Sequence, residues 1–413
     1  MGRSTTAMGA TQAISPRRAP AALRSAGLTF VWTRALVLAV ALVAVAAFGV
    51  DARNEDLFDS AGLTHPFLDS LLSPLARWDS VWYLGIAHGG YSGASSAFFP
   101  LYPLLVRAFA VSDSPGALLV SAYVVSLASL FGALWLLHRL VALELGSDRL
   151  ARSSVLLLAV FPGALWFGAP YSESLFLLLS VGTFYAARTG RWWLAGALAA
   201  LAAASRSAGI VLVVPLLVLW WKSRPRRLSS VGWIALAPFG LAAYSVYLAA
   251  AVGDGFAYLH LQDVWFRSFA GPFGGVWDGA VAAWDGLRQL VSGSRTHVYF
   301  TAAGGDPIDV AWHNVELFFF LVVGAVAVVG VLRRLPLAYG AYVVAALALP
   351  LSFPVGPQPL MSLPRFLAVL FPLFMWLARV LVERPRARRA VLGFFAVYLV
   401  AFAARYGTWH WVA

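Results

Sequence analysis

Long apolar runs, separated by short arginine-rich connectors, make up most of this chain. Several of the runs reach the ~20 residues that a helix needs to cross a bilayer. Of the 413 residues, 61% are hydrophobic and 12% are charged, whereas soluble domains average roughly 45–50% and 25%. The sequence therefore predicts an all-α polytopic membrane protein.

The net charge of +12 does not indicate a nucleic-acid partner. The arginines cluster between apolar runs, which is the pattern of cytoplasmic loops in membrane proteins. Seventeen tryptophans and fourteen tyrosines fit belts at the two membrane interfaces. Cysteine is absent, which excludes disulfides and cysteine-based metal sites. Richness in alanine, valine and arginine is typical of a GC-rich bacterial genome.

The charge distribution predicts about eleven crossings, with the C-terminus outside. Residues 1–27 are polar and basic and are expected to form a disordered cytoplasmic tail, followed by a single membrane domain over 28–413. Acidic residues outnumber basic ones in 51–115, so this segment is predicted as an outer loop, and 253–311 as a second one. The predicted spans are 28–50, 116–137, 153–168, 174–187, two halves of 192–221, 231–252, 311–332, 337–353, 366–382 and 390–406.

The thirty apolar residues 192–221 are too many for one upright helix. We predict two half-helices broken at 205–209, each about 20 Å long at 1.5 Å per residue. Such broken helices are tolerated where they face a protein-lined cavity. The break keeps the basic cluster after Trp221 on the cytoplasmic side and places Arg206 at the floor of an outward-facing cavity.

The stretch RWDSVWY (77–83) sets Asp79 among aromatic residues in the first outer loop. A carboxylate at this boundary is a candidate base for an enzyme that acts on a lipid-borne substrate. Asp79 could equally serve as the N-cap of the helix that follows, with the aromatic residues as interfacial anchors. The residues of this stretch alone leave both interpretations open.

Several blocks of the sequence resemble the PIG-V-type mannosyltransferases, related to GPI mannosyltransferase 2, and indicate a bacterial member of that family. The blocks occur in family order over almost the whole chain: RWDSVWYLGIA (77–87), GGYS (89–92), FFPLYPL (98–104), PYSESLF (170–176), SRSAG (205–209), GDGFAYLHLQDVW (253–265) and LPRFLAVLFP (363–372). The resemblance implies a C-type glycosyltransferase (GT-C) fold and a polyprenyl phosphate mannose donor. It also implies transfer on the outer face of the membrane, with Asp79 as the base and inversion at the sugar carbon.

The same resemblance implies cations that stabilise the lipid phosphate as it leaves. Arg206, Arg365 and Arg77 are the candidates, and Arg206 stands out because a charge within a span is costly and usually functional. An ion pair between Arg206 and Glu173 is the alternative. Glu173 could orient a sugar hydroxyl or cap the helix that it begins, and the cap is the preferred interpretation.

Candidate substrate contacts lie in both outer loops and at the tip of the 153–187 hairpin. In the second loop, a surface amphipathic helix is an equally good interpretation. The candidates are Trp78, Trp82, Tyr83, Tyr102, Tyr171, Glu173, His260, Gln262, Asp263 and Trp265.

The sequence has no Gly-rich nucleotide loop, which favours a lipid-linked sugar donor over a sugar nucleotide. No cofactor is expected, and no metal, although Asp79 with Asp263 and His260 could in principle bind one. The expected partners are polyprenyl phosphate mannose, a glycan, glycolipid or protein acceptor of the cell envelope, and the lipids of the plasma membrane. Alternatives are another polyprenyl phosphate sugar as donor, a polyprenyl-linked lipid flippase or transporter, and a membrane scaffold.

Overall fold

A computed structural model describes residues 18–51, 70–293, 306–356 and 358–412 of the chain. Within these ranges no β-strand occurs, and one antiparallel bridge joins Arg267 to Val355. The predicted all-α class is confirmed. The helices are α1 (Arg18–Phe48), α2 (Asp79–Gly89), α3 (Leu101–Phe109), α4 (Pro115–Leu145), α5 (Asp148–Val160), α6 (Glu173–Arg188), α7 (Trp192–Ser205), α8 (Val213–Lys222), α9 (Ser229–Ile234), α10 (Phe239–Ala251), α11 (Ala257–His260), α12 (Gly274–Ser292), α13 (Pro307–Arg334), α14 (Leu337–Ser352), α15 (Leu363–Ala368), α16 (Phe371–Leu381) and α17 (Pro385–Gly407).

Five helical segments in the described ranges are long and apolar enough to cross a membrane, which makes this a multi-pass membrane protein. Shorter apolar helices, including α7, α14 and α16, lie between them. The predicted number of eleven crossings stays a prediction. The five segments are Pro20–Phe48, Pro115–Leu145, Ser229–Ala251, Pro307–Arg334 and Pro385–Gly407.

The first helix begins earlier than the sequence predicted. Helix α1 starts at Arg18 rather than at residue 28, so the last ten residues of the expected disordered tail are helical. Alanine, arginine and leucine in this stretch are strong helix formers. Ala22 and Ala26 are buried, so packing against the protein adds to that preference. The rest of the tail, residues 1–17, lies outside the described ranges.

Prolines divide several of the predicted spans. The span predicted at 153–168 is helical only to Val160, and a 3-10 helix, Pro162–Phe167, follows it. The span predicted at 366–382 is divided into α15 and α16, with Pro372 near the start of α16. Phe161, directly before Pro162, leaves the helical region with a ψ of 142°, as expected for a residue before proline. Pro372 lies in the first turn of α16, where its missing N–H needs no helical partner.

The second predicted outer loop contains a helix that the sequence analysis missed. Helix α12 lies within the region predicted as loop 253–311 and packs against α13, where Gly286 leaves room for the backbone of Ala311. Its many glycines and aspartates resemble the composition of a loop. Of the first predicted loop, residues 52–69 lie outside the described ranges, while α2 and α3 occupy part of the remainder.

Helices α4 and α6 form the buried centre of the protein. Gly132 of α4 meets Leu178 of α6, and Gly182 of α6 meets Leu198 of α7, so small residues let the three helices approach closely. Nearly all of α6 is buried, including Glu173 at its N-terminal end. This packing fixes the position of Glu173 in the site described below.

Candidate active site

The candidate active site lies where the N-terminal ends of two helices meet, and each of these helices begins with an acidic residue. Asp79 is the first residue of α2, and Glu173 is the first residue of α6. The N-terminal end of a helix carries partial positive charge, which favours an acidic side chain in the first turn. The backbone N–H of Asp79 donates to the Tyr171 hydroxyl at 3.1 Å, which ties the two helix ends together.

Neither carboxylate residue is the N-cap of its helix. The N-cap residue of α2 is Trp78, whose φ of 53° turns the chain sharply, and that of α6 is Ser172. Helix α2 begins one residue earlier than a cap at Asp79 would require. The side chains of Asp79 and Glu173 pair with arginines. The interpretation of Asp79 as the N-cap is corrected, whereas Glu173 does occupy the N-terminal end of α6, where the helix dipole favours its charge.

Arg365 contacts both carboxylates. Its Nη1 donates to Asp79 Oδ2 at 2.6 Å, and its Nε lies 3.3 Å from Glu173 Oε1. Arg365 is the third residue of the short helix α15, whose Pro364 carbonyl packs against Gly163. A Cβ on Gly163 would lie 2.2 Å from that oxygen, so glycine is needed there for α15 to sit this close.

Arg206, at the break between α7 and α8, is the fourth member of an ion network that also contains Asp79, Arg365 and Glu173. The chain is extended at Arg206, where α7 ends, and a 3-10 helix Ser207–Leu212 follows. Arg206 Nη1 forms an ion pair with Glu173 Oε1 and donates to Ser172 Oγ at 3.2 Å. The predicted break at 205–209 is confirmed, and so is the alternative interpretation that Arg206 pairs with Glu173.

The network opens toward solvent at Asp79. The side chain of Glu173 is 1% exposed, those of Arg365 and Arg206 are 15% and 16% exposed, and that of Asp79 is 28% exposed. Asp79 Oδ1 and Arg365 Nη2 make no hydrogen bond to any residue that the structure describes. A carboxylate oxygen and a guanidinium donor are thus available to a bound molecule.

Arg77 lies behind the network rather than in it. Its side chain is 3% exposed, and its guanidinium stacks over the Trp409 ring at 4.6 Å. The Arg77 carbonyl accepts hydrogen bonds from the hydroxyls of Tyr171 and Tyr406 at 3.1 and 2.9 Å. Burial under Trp409 leaves no surface for a phosphate, so the structure gives Arg77 a role in positioning the backbone before Asp79.

Aromatic side chains form one wall beside Asp79. Trp82 stacks on Phe98 with ring centroids 5.7 Å apart, and Trp265 of the second loop meets Trp82 edge-on at 5.3 Å. Tyr83 is more deeply buried, and its hydroxyl lies 2.8 Å from Ser172 Oγ. Flat apolar faces of this kind suit the C–H face of a sugar ring. Among these, Trp82 and Trp265 are only partly buried.

Three other aromatic candidates are enclosed by the protein. Tyr102 is fully buried, and its hydroxyl donates to the carbonyl of Ala122 at 3.0 Å. Trp78 packs edge-on against Trp409 and Trp411, and Tyr171 is 1% exposed. These side chains pack behind the site. Because Tyr102 and Trp78 are buried, their burial argues against the predicted contacts with substrate.

The polar candidates of the second loop make local contacts. His260 Nδ1 pairs with Asp254 Oδ2 at 2.7 Å, and this hydrogen bond lowers the pKa of Asp254. Gln262 Nε2 donates to the Tyr258 carbonyl at 2.6 Å, and Asp263 is exposed in the 3-10 helix Leu261–Trp265. None of them contacts the Asp79 network in the described ranges, so their predicted role in binding the acceptor stays a prediction.

Sequence reasoning missed one residue of the site, Ser172. Its Oγ lies 3.2 Å from Arg206 Nη1 and 2.8 Å from the Tyr83 hydroxyl. The available signal was its place inside the PYSESLF block (170–176). Among the described residues, no three His, Cys, Asp or Glu side chains gather in a way that could hold a metal ion.

Comparison with known proteins finds similarity in the first half of the chain. Residues 28–220 match the model of a family described as "Mannosyltransferase (PIG-V)". The matched range contains Asp79, Glu173 and Arg206, whereas Arg365 lies beyond it.

Individual relatives match over a similar extent. The chain is 36% identical over 174 residues to "GPI alpha-1,6-mannosyltransferase 2" of Rattus norvegicus, which covers 40% of this chain and 35% of the relative. It is 33% identical over 162 residues to the Homo sapiens protein of the same name, covering 37% and 33%. It is 28% identical over 190 residues to "GPI mannosyltransferase 2" of Yarrowia lipolytica, covering 46% and 50%. The chain thus spans between a third and a half of the length of these curated relatives, and its first half is similar in sequence to the PIG-V mannosyltransferases.

Proposed function

We propose that this protein is an inverting membrane mannosyltransferase that moves mannose from polyprenyl phosphate mannose to a hydroxyl group of an acceptor, with Asp79 as the base. The observation that carries the proposal is the ion network of Asp79, Arg365, Glu173 and Arg206 at one open site. It places a proton acceptor beside two cations, which is the combination that this reaction requires.

Asp79 is placed for proton removal. Arg365 holds Oδ2, and Oδ1 faces the open side without a partner among the described residues. The acceptor hydroxyl would give its proton to Oδ1 as its oxygen attacks C1 of the mannose. The bond between C1 and the phosphate oxygen breaks as the new bond forms. A single displacement of this kind inverts the configuration at C1.

The arginines are placed for the leaving group. The phosphate of the donor carries one negative charge, and it gains a second as the bond to mannose breaks. Groups that bind this developing charge stabilise the transition state more than the bound donor. Arg365 has Nη2 available, and Glu173 holds both arginines in place from the buried side. No acid is needed for departure, because the leaving phosphate is already an anion.

The proposed acceptor is inferred from the relatives and from the composition of the chain. The relatives are named as GPI mannosyltransferases. For this chain, whose composition is typical of a bacterial genome, the proposed acceptor is an envelope glycan, glycolipid or protein. The proposed setting is the plasma membrane, in a GT-C fold with about eleven crossings and the site on the extracytoplasmic face. Arginine clusters such as the one at 384–389 support that orientation.

The test uses the purified full chain in proteoliposomes with a membrane-extract acceptor. We expect transfer of labelled mannose from polyprenyl phosphate mannose, and none from a mannose nucleotide. Faster transfer from polyprenyl phosphate glucose or a pentose donor would replace mannose with that sugar. Movement of the lipid across the vesicle membrane without any transfer would replace the enzyme with a flippase. We expect activity to persist in excess chelator, and restoration by an added metal ion would show a metal requirement.

A further inference from the structure

The backbone directly before Asp79 has a conformation that residues other than glycine rarely adopt. Trp78 has a φ of 53° and a ψ of −116°, a combination outside the regions that are sterically open to most side chains. Such conformations persist where the surrounding contacts over-determine them, and they cluster at active sites. The contacts around Trp78 therefore indicate what holds Asp79 in place.

One hydroxyl bridges the two peptide groups on either side of Trp78. The Tyr171 hydroxyl donates to the Arg77 carbonyl at 3.1 Å and accepts from the Asp79 N–H, also at 3.1 Å. These atoms belong to the two peptide groups whose relative orientation is set by the φ and ψ of Trp78. Helix α2 has no side-chain hydrogen bond from its N-cap residue. The Tyr171 hydroxyl therefore also satisfies one of the N–H groups that a helix leaves unpaired at its start.

The two ends of this bridge differ in how many other contacts they have. The Arg77 carbonyl also accepts from the Tyr406 hydroxyl at 2.9 Å and from the Ser80 N–H at 3.1 Å. For the Asp79 N–H, the bond to Tyr171 is the one hydrogen bond found within the described ranges. Loss of the Tyr171 hydroxyl would therefore release the first residue of α2 while the Arg77 carbonyl stays bonded.

The ring of Tyr171 contacts the second group of the site. The Arg365 guanidinium lies over this ring, 5.6 Å from its centroid, which is within the range of a cation–π contact. Arg365 in turn donates to Asp79 Oδ2 at 2.6 Å. The buried side chain of Tyr171 thus contacts both members of the Asp79–Arg365 pair.

We propose that Tyr171 is a positioning residue, whose hydroxyl acts through Asp79 and whose ring acts through Arg365. The proposal rests on the proposed function of these two residues. The hydroxyl sets the direction in which α2 presents the carboxylate, so that Oδ2 meets Arg365 and Oδ1 faces the open side. The ring supports the guanidinium that would bind the donor phosphate. This role differs from the direct substrate contact that the sequence predicted for Tyr171.

The first arm of the test follows the hydrogen bond itself, independently of activity. Hydrogen–deuterium exchange at single-residue resolution is measured on the full chain in nanodiscs. In Tyr171→Phe, the Asp79 amide should exchange about tenfold faster or more, as expected for loss of its hydrogen bond. Tyr406→Phe is the matched control, because it removes a hydroxyl from the same Arg77 carbonyl and leaves the Asp79 N–H bonded. Wild-type exchange at Asp79 in Tyr171→Phe would overturn the bridge.

The second arm measures transfer. Tyr171→Phe should lower kcat about tenfold to a hundredfold, the effect of a displaced base. The donor KM should stay unchanged, because the ring under Arg365 remains. Tyr406→Phe should lower kcat by a clearly smaller factor. Equal losses of kcat in the two variants, or a Tyr171→Phe protein whose donor and acceptor KM values both rise, would overturn the role of the hydroxyl.

The third arm measures binding of a long-chain polyprenyl phosphate in nanodiscs, with the neutral polyprenol as reference. Tyr171→Phe should bind the phosphate with wild-type affinity, which also shows that the variant is folded. Tyr171→Leu should bind it about threefold more weakly or less tightly still, as expected for loss of a cation–π contact. Loss of binding in Tyr171→Phe would make Tyr171 a purely structural residue and overturn the proposal. Wild-type binding by Tyr171→Leu would overturn the role of the ring.

The proposed function and the role of Tyr171 fail differently. If the wild-type chain transfers no mannose from the lipid donor, the proposed function fails. Hydrogen exchange at Asp79 still decides on the bridge in that case. If Asp79→Asn is inactive while Tyr171→Phe transfers at the wild-type rate, only the role of Tyr171 fails.

Discussion

Arg365 donates a hydrogen bond from Nη1 to Asp79 Oδ2 over 2.6 Å, although the two residues are 286 positions apart in the chain. Asp79 begins α2 in the first predicted outer loop, and Arg365 lies in the short helix α15 near the C-terminal end. This contact holds the proposed base next to a proposed phosphate ligand. One hydrogen bond therefore fixes the group that would remove the proton relative to the group that would bind the leaving phosphate. The predictions below test the parts of this arrangement.

Removing either arginine that is proposed to bind the donor phosphate should slow transfer. For Arg365→Ala and Arg206→Ala we expect kcat/KM to fall by about 10²–10³, the range for loss of a donor that stabilises transition-state charge. Arg288→Ala, on the surface of α12, should leave the rate unchanged. Transfer kinetics with varied donor are the measurement, and wild-type donor binding by the double variant would remove both arginines from the phosphate site.

Glu173→Gln should destabilise the protein more than Asp79→Asn does. Glu173 is 1% exposed and pairs with two arginines, whereas Asp79 is 28% exposed and pairs with one. Breaking a buried ion pair costs about 3–5 kcal/mol because the partner charge is left buried. Thermal unfolding in detergent, followed by intrinsic fluorescence, should show the lower Tm for Glu173→Gln. The reverse order would contradict the assignment of Glu173 as the buried anchor.

Gly163→Ala should impair activity although Gly163 is not expected to touch the substrate. The added Cβ would lie 2.2 Å from the Pro364 carbonyl oxygen, so α15 and Arg365 must shift. Gly85→Ala on α2 is the matched control, since its Cβ would meet nothing within 4 Å. We expect reduced transfer by a folded Gly163→Ala protein and normal transfer by Gly85→Ala. Equal rates for the two would show that the position of Arg365 matters little.

The orientation of the chain can be tested with single cysteines, because the protein has none of its own. Gly93→Cys, in the first outer loop at a position with open space around Cβ, should react with an impermeant reagent from outside. Leu228→Cys, which is 80% exposed beside the basic cluster after α8, should react only after permeabilisation. External labelling of Leu228→Cys would contradict the folding back of the chain at Arg206.

The sequence predicted the local features of the site better than its tertiary assembly. Apolar run length and arginine clusters gave the all-α membrane class, and the polar break within 192–221 gave the position of Arg206, since both depend on local composition. The Arg365–Asp79 contact depends on packing between distant segments, which one sequence does not contain. The N-cap interpretation of Asp79 was wrong, because the helix begins at Asp79 itself and its carboxylate pairs with Arg365, which is distant in the sequence.

The loops were the least predictable part. Helix α12 was missed because its glycines, which allow close packing at Ala311 and Leu360, resemble loop composition. Tyr102 was named as a substrate contact from its place in the FFPLYPL block, but the side chain faces the α4 core. A motif marks which residues matter without separating those that touch a substrate from those that support the site.

Mannose transfer by Asp79→Asn tests the central claim most directly. The substitution keeps the shape of the side chain and removes its capacity to take the acceptor's proton, so transfer from polyprenyl phosphate mannose in proteoliposomes should fall by about 10²–10⁴. Asp113→Asn, an exposed carboxylate near the start of α4 that pairs with Arg107, should transfer at the wild-type rate. Binding of polyprenyl phosphate by Asp79→Asn should persist, which separates lost chemistry from lost structure. Wild-type transfer by a folded Asp79→Asn protein would contradict the account.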